Sequence, residues 1–481
     1  MGPNLTACLL IASASFTGTA LASESPLALA GDSEVTFQSA DGVQVHAGLH
    51  IPSGEAPVAA VLLVHGGRQD RSEWAPLLPE LHARGWATLA IDLRGHGQTG
   101  GEIADWGAFF NDPNGVPHDV EAAMGFLAEQ PGVDPERIAV VGSSVGANLA
   151  CVAVEKWSAR GAVFLSGKTE AARNLAGGEL GKLHSTLYIA AADEQGGARA
   201  GWANELAAMS AGASRARIVQ GSSTHGAALL GEERELVPEV IAFLGGLLEG
   251  DRMRTVEFQS GDGLSITADH YAPHPADSPL ILALHQAGWS RGEYRESAPR
   301  LTTLGFNVLA LDQRSGGGVN EVTNLTAERA KAAELPMEYL DAEPDILAAL
   351  TWARKQGAKR VVLMGSSYSA SLTLKVAAEH PELVDAAVSF SPGEYFGREN
   401  PGLIASAAKA LACPVWISSA AQEGEVWEEI YRAIPAEAGK GKWSYLPKEG
   451  GQHGSRALWS RFAGFEAVWD ALEPFLLEQS Q

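Results

Sequence analysis

One long repeat limits what this chain can fold into. An apolar, strand-like stretch runs into Val140-Val141-Gly142-Ser143-Ser144-Val145-Gly146 and then into a helix-forming run of small residues. The same pattern returns at Leu363-Met364-Gly365-Ser366-Ser367-Tyr368-Ser369, with serine in place of the last glycine. The flanking segments repeat as well. His65 and His285, which close two apolar runs, are 220 residues apart, as are Asp92 and Asp312. Ser144 and Ser367 are 223 apart, and His225 and His453 are 228 apart. A register that holds and then drifts by small insertions marks two diverged copies of one domain, since solenoid repeats are far shorter. The length of 481 residues suits two domains better than one hydrophobic core.

Composition narrows the partners. With 46% hydrophobic and 19% charged residues, the chain has the make-up of an ordinary globular protein. A formal net charge of −23 and the lack of any basic run exclude a nucleic-acid binder, because phosphate recognition needs clustered Lys and Arg. Residues 8–16 form a short apolar core and Ala20-Leu21-Ala22 a small-x-small cleavage pattern, so residues 1–22 are expected to be an export signal to the periplasm or exterior. That segment is too short and too interrupted by Ser and Thr for stable membrane insertion. Residues 23–33 then read as a linker, 34–249 as the first domain and 250–481 as the second, with the boundary within 245–252. Beyond Cys8, only Cys151 and Cys413 remain, at unrelated positions of the two copies. No spacing suggests a metal site, and Gly95-His96-Gly97 lacks the third glycine of a dinucleotide fingerprint, so no cofactor is expected.

In the first copy, the pattern predicts strands over 35–37, 43–50, 59–64, 87–92, 138–141, 162–165, 187–191 and 216–219. Helices are predicted over 73–84, 117–130, 146–158, 198–210 and 236–247. Two hairpin-like strands followed by strand–helix alternation imply an α/β fold, a mostly parallel sheet with helices on both faces. With its Gly-x-Ser-x-Gly turn, this copy resembles an α/β-hydrolase domain of the compact dienelactone-hydrolase and small-esterase kind. The resemblance covers residues 34–248 and again 255–478.

What the resemblance implies is serine chemistry. In Gly-x-Ser-x-Gly, the turn between strand and helix presents the Ser144 hydroxyl as nucleophile. Asp193 ends the strand-like run 187–193, with Glu194 beside it as a second candidate acid, and His225 follows the next strand. Ser144, Asp193 and His225 stand in the family's Ser-acid-His order. The family's oxyanion donors map onto the backbone N–H groups of Gly67, in His65-Gly66-Gly67, and Val145.

The second copy is less regular. Ser367 and His453 are present, and Ala287 and Tyr368 take the donor positions in a loop that lacks the first family glycine. Ala421 aligns with Asp193, which leaves Glu423, two residues on, or Glu394 on the preceding strand end, as the acid for His453. Trp106, Phe109 and Phe110 in the first copy, and Trp289, Tyr294, Tyr395 and Phe396 in the second, are candidates for acyl pockets. The expected activity is hydrolysis of a small carboxylic ester or lactone through an acyl-enzyme. The alternatives are a first domain that catalyses beside a supporting second one, or a dead scaffold.

Overall fold

The computed structural model describes residues 32–54, 57–397, 400–438 and 441–480. The export-signal reading falls on residues 1–22 and lies outside them. The first half builds one eight-stranded sheet from β1 (Asp32–Gln38), β2 (Gln44–His50), β3 (Val58–Val64), β4 (Ala87–Asp92), β5 (Val133–Ser143), β6 (Ala162–Leu165), β7 (Thr186–Ala191) and β8 (Arg215–Val219). Its order is β1-β2-β4-β3-β5-β6-β7-β8. Only the pairs β1–β2 and β2–β4 are antiparallel.

The second half repeats this sheet. It is made of β9 (Met253–Gln259), β10 (Ser265–Tyr271), β11 (Leu280–Leu284) and β12 (Asn307–Leu311), then β15 (Val361–Ser366), β16 (Ala386–Phe390), β17 (Val415–Ser418) and β18 (Lys442–Tyr445). The short strands β13 (Gly318–Val319) and β14 (Val322–Thr323) form a separate ribbon. The order β9-β10-β12-β11-β15-β16-β17-β18 matches the first sheet strand for strand.

Both faces of each sheet are covered. Along β3, Ala60, Leu62 and Val64 pack into one apolar layer, while Ala59, Val61 and Leu63 pack into the other. That alternation is the two-residue period of a strand buried on both sides. One layer is completed by the helices Pro117–Ala128, Val145–Lys156 and Ala198–Met209, the other by Leu78–Ala83 and Leu236–Glu249. The strand order reverses around β3, so the carboxyl ends of β3 and β5 flank a crevice, where open α/β sheets hold their ligands.

Three local expectations are corrected. The helix predicted over 73–84 is a 3-10 turn, Arg71–Trp74, followed by a separate helix, Leu78–Ala83. Pro76 and Pro79 break the run, and Pro79, which lacks an N–H, fits only the first turn of the new helix. The strand predicted over 138–141 extends over Val133–Ser143. The helix predicted over 236–247 runs on to Glu249, through Gly245 and Gly246. Among the described residues, no helix is long and apolar enough to cross a membrane. Cys151 and Cys413 are free and buried, and burial pushes the Cys413 thiol up to about 12.

Gly246 explains why a helix tolerates two glycines here. A Cβ at this position would lie 2.3 Å from the backbone N of Thr303 in the second half, so only glycine lets the helix approach that segment. Around this contact, Trp86 Nε1 donates to Glu249 (3.1 Å), and Arg215 donates to the carbonyl of Thr303 (3.3 Å). Arg84 donates to the carbonyl of Pro273. Because the opposing atoms are backbone, Gly246→Val is expected to cost about 1–3 kcal/mol, the usual range for overpacking. Denaturant unfolding measures it, and an unchanged midpoint would show that the halves are not packed through this helix.

Candidate active sites

Each elbow is built by close backbone approach. A Cβ on Gly142 would lie 2.1 Å from the carbonyl oxygen of Gly146, and one on Gly146 would lie 2.0 Å from that of Val64. The glycines bring strand and helix together, and the serine between them takes the strain. Ser144 has φ 55° and ψ −111°, and Ser367 has φ 59° and ψ −123°. These are left-handed-side values that cost a non-glycine residue energy and gather at functional sites. In the second elbow, Ser369 replaces the last glycine, and its hydroxyl donates to the carbonyl of His285 (2.6 Å).

At the second elbow the side chains form a continuous relay. His453 Nε2 lies 2.8 Å from Ser367 Oγ, and His453 Nδ1 lies 2.7 Å from Glu423 Oε1. A carboxylate on Nδ1 requires the proton there, which leaves Nε2 as the acceptor facing the serine. Glu423 Oε2 also accepts the Ser391 hydroxyl (2.7 Å), and Ser391 Oγ accepts the N–H of Gly454 (2.9 Å). Burial raises the Glu423 carboxyl, but its bonds from His453 and Ser391 outweigh that and hold it below the usual range. Glu394, the other candidate acid, instead caps a helix through the N–H groups of Ile404 and Ala405 (3.0 and 2.8 Å).

The first site repeats the relay with one correction. The residue against His225 is Glu194, with Oε1 2.5 Å from Nδ1, and not Asp193. Asp193 is exposed, while Glu194 is buried. The chain leaves β7 at Ala191 and turns through Ala192 and Asp193, so the third side chain after the strand, Glu194, faces the histidine loop. Glu194 Oε2 accepts the Ser166 hydroxyl (2.7 Å), which in turn accepts the N–H of Gly226 (2.9 Å), just as Ser391 joins Glu423 to Gly454. A signal for this was available: Glu194 and Glu423 are 229 residues apart, nearly the spacing of the two histidines.

Two features separate the sites. Among the described residues, Ser144 Oγ makes no hydrogen bond to His225, so the first relay is closed only from histidine to acid. Arg199 lies 3.2 Å from Glu194 and donates to the carbonyl of Ser166 (2.6 Å). In the second site, the matching carbonyl of Ser391 accepts from the Tyr395 hydroxyl instead (2.9 Å), which stands beside Ser367.

The backbone N–H groups of Gly67 and Val145, and of Ala287 and Tyr368, make no hydrogen bond to another described residue. The loops that carry Gly67 and Ala287 are pinned by buried histidines. His65 Nε2 accepts the N–H of Leu93 (3.0 Å) while Nδ1 donates to the carbonyl of Gly66 (2.7 Å). His285 does the same with Gln313 (3.0 Å) and Gln286 (2.8 Å). Burial lowers both imidazoles to about 4, so they are neutral latches and not bases.

The aromatic candidates divide. The ring of Phe110 lies 3.2 Å from where a Gly67 Cβ would be, and Trp106 sits beside it, so both line the first site. Phe109 is buried beneath them. Tyr294 is fully buried and donates to the carbonyl of Leu284 (2.8 Å), which makes it a packing residue, and Phe396 is buried too. Trp289 stacks on Trp459 with ring centroids 5.4 Å apart. Among the described residues, the one acidic cluster with metal-ligand spacing, Glu343, Glu379 and His380, is already bridged by Lys375. Substitution separates the two acids of the first site. Glu194→Gln is expected to lower turnover at Ser144 by about 10²- to 10⁴-fold, the range for loss of a triad acid. Asp193→Asn should leave it within twofold, roughly the scatter of a surface change. Equal losses, read from kcat with Ser367 blocked, would overturn the assignment.

Comparison with known proteins agrees with the architecture. The family described as serine aminopeptidase, S33, matches residues 55–207 and 276–428. An uncharacterized protein of Mycobacterium tuberculosis is 34% identical over 119 residues, which are 24% of this chain and 39% of that protein. The uncharacterized YfhR of Salmonella typhi is 31% identical over 124 residues, 25% of this chain and 39% of YfhR. The alignment thus spans well under half the length of either relative. Among solved structures, a dienelactone hydrolase from Anabaena variabilis is 18% identical, covering 47% of this chain and 97% of its own, with a TM-score of 0.37. Matched over more than half its length in two successive spans, the chain belongs to the serine aminopeptidase S33 family of hydrolases, as two tandem α/β-hydrolase domains.

Proposed function

We propose that the protein is a serine hydrolase with two working sites, cleaving small carboxylic esters or lactones through an acyl-enzyme. The observation that carries this reading is the unbroken relay Ser367–His453–Glu423, at 2.8 and 2.7 Å, whose histidine–acid half recurs as His225 and Glu194 below Ser144.

The chemistry follows from the proton positions. His453 Nε2 takes the Ser367 proton as Oγ attacks the carbonyl carbon, and Glu423 stabilises the imidazolium that forms. The carbonyl oxygen, now negative, is met by the N–H groups of Ala287 and Tyr368, or of Gly67 and Val145 in the first site. The imidazolium returns its proton to the leaving alcohol, and water then repeats the sequence on the acyl-serine. Of the two sites, the second is closed and ready, so the first is not the sole catalytic domain in this reading. The half-buried rings of Trp106 and Phe110 favour a modest apolar acyl group. Export of the protein is part of the proposal and rests on the pattern within residues 1–22.

Fluorophosphonate labelling of the full chain, followed by peptide mapping, tests it. Modification of both Ser144 and Ser367 is expected, together with turnover of p-nitrophenyl esters in preference to aminoacyl anilides. Labelling of one serine alone would reduce the other domain to a supporting role. No labelling of folded protein would leave a scaffold, and preference for the anilides would make it a peptidase.

A further inference from the structure

Beneath each nucleophile lies a second carboxylate that the relay does not use. In the second half it is Glu293, in the 3-10 turn Arg291–Tyr294 just after the loop that carries Ala287. Its Oε2 accepts the N–H of Gln286 (2.7 Å), and its Oε1 accepts the hydroxyl of Ser455 (2.6 Å). The N–H of Ser455 in turn donates to Ser366 Oγ (2.9 Å). In the first half, Glu73 holds the matching place. Its Oε2 accepts the N–H of Gly66 (2.8 Å), and its Oε1 accepts the Ser143 hydroxyl (3.0 Å). Ser143 Oγ also accepts the N–H of Ala227 (3.0 Å).

The partners are the same three places each time. Gly66 and Gln286 immediately precede the proposed oxyanion donors, Ser143 and Ser366 immediately precede the nucleophiles, and Ala227 and Ser455 follow the histidines by two residues. These loops leave three different strands, and within each half one carboxylate ties them together. The group is costly to keep. Glu293 is fully buried, and burial raises both carboxyls, with no Lys or Arg ion pair to either among the described residues. An acceptor-only group suits a point where a backbone N–H and serine hydroxyls converge as donors. Glu73 is half-buried, and retention of the same acid at the same place in both diverged copies is difficult to explain by packing alone.

We propose that Glu293, and Glu73 in the first half, is a positioning residue that holds oxyanion donor, nucleophile and general base in mutual register. The proposal rests on the reading of Ser367, His453 and Glu423 as a working site. It touches neither substrate nor the reacting atoms and acts through the loops it ties.

The test uses the full chain carrying Ser144→Ala, so that only Ser367 reports. Glu293→Ala should lower kcat and the fluorophosphonate labelling rate by about 10²-fold, the penalty of a misplaced reacting group, with KM within about twofold. Glu293→Gln keeps an acceptor for the Gln286 N–H but turns an NH2 toward Ser455, and should fall between parent and alanine variant. Circular dichroism and thermal unfolding establish that each variant is folded. Should the alanine variant not fold, the glutamine variant decides alone, with a kcat within twofold of the parent overturning the proposal. Kinetics unchanged in both variants, or a loss confined to KM, would overturn it too. A parent in which Ser367 never labels would sink the catalytic reading and this proposal together. A parent that labels while the variants match it sinks the proposal alone.

Discussion

The elbow geometry depends on a helix seated almost on the backbone of a neighbouring strand. At Gly146, the space a side chain would need is filled by the carbonyl of Val64, so the helix Val145–Lys156 rests against the end of β3. That contact sets the sharpness of the turn at Ser144, and the turn sets where the hydroxyl stands. It also brings the loop after β3 beside Ser144. Strain at one serine is therefore held by packing over a whole helix, as a strained functional residue requires. In the second half, Ser369 stands at the same place, and its hydroxyl is satisfied by the carbonyl of His285. There a side chain takes the place kept empty in the first half, and its hydrogen bond joins helix to loop.

Around this contact the halves have diverged unevenly. The sheet order, the histidine latches and the carboxylates Glu73 and Glu293 are kept in both. The differences lie on the side of the acid, where Arg199 occupies the first site and Tyr395 the second, each bonded to the equivalent carbonyl. A guanidinium lies 3.2 Å from the Glu194 carboxylate in the first half, whereas a phenol stands at the matching place in the second. The two sites therefore present different electrostatics to a substrate, although their hydrogen-bonded frames are alike.

Much of this was legible in the sequence, for reasons that differ by element. Strands such as Ala87–Asp92 and Ala162–Leu165 are continuous apolar runs bounded by turn residues, and local pattern defines them. Ser144, His225, Ser367 and His453 were marked by turn chemistry and order. Glu194 is harder to single out from sequence, because the side chain that faces the histidine depends on how the chain turns after β7. Its neighbour Asp193 has the more usual residue type at the strand end. The roles of Glu73 and Glu293 were invisible, since each is defined by three loops that meet only in the folded protein. The helix break before Leu78 was written in Pro76 and Pro79 and was overridden by the apolar periodicity around them.

The glycine face of the helix Leu236–Glu249 bears on how the chain is made. During synthesis the first half emerges complete before the second, and domains generally fold in that order. The apolar side of this helix, with Leu236, Val240, Phe243, Leu244 and Leu247, closes on its own sheet. What waits for the second half is the opposite side, where Gly246 offers bare backbone and Arg84 and Arg215 offer hydrogen-bond donors. Until the second half arrives, water can satisfy the guanidinium groups of Arg84 and Arg215 that later bond its carbonyls. At this helix, joining two copies head to tail therefore draws on charged donors and bare backbone.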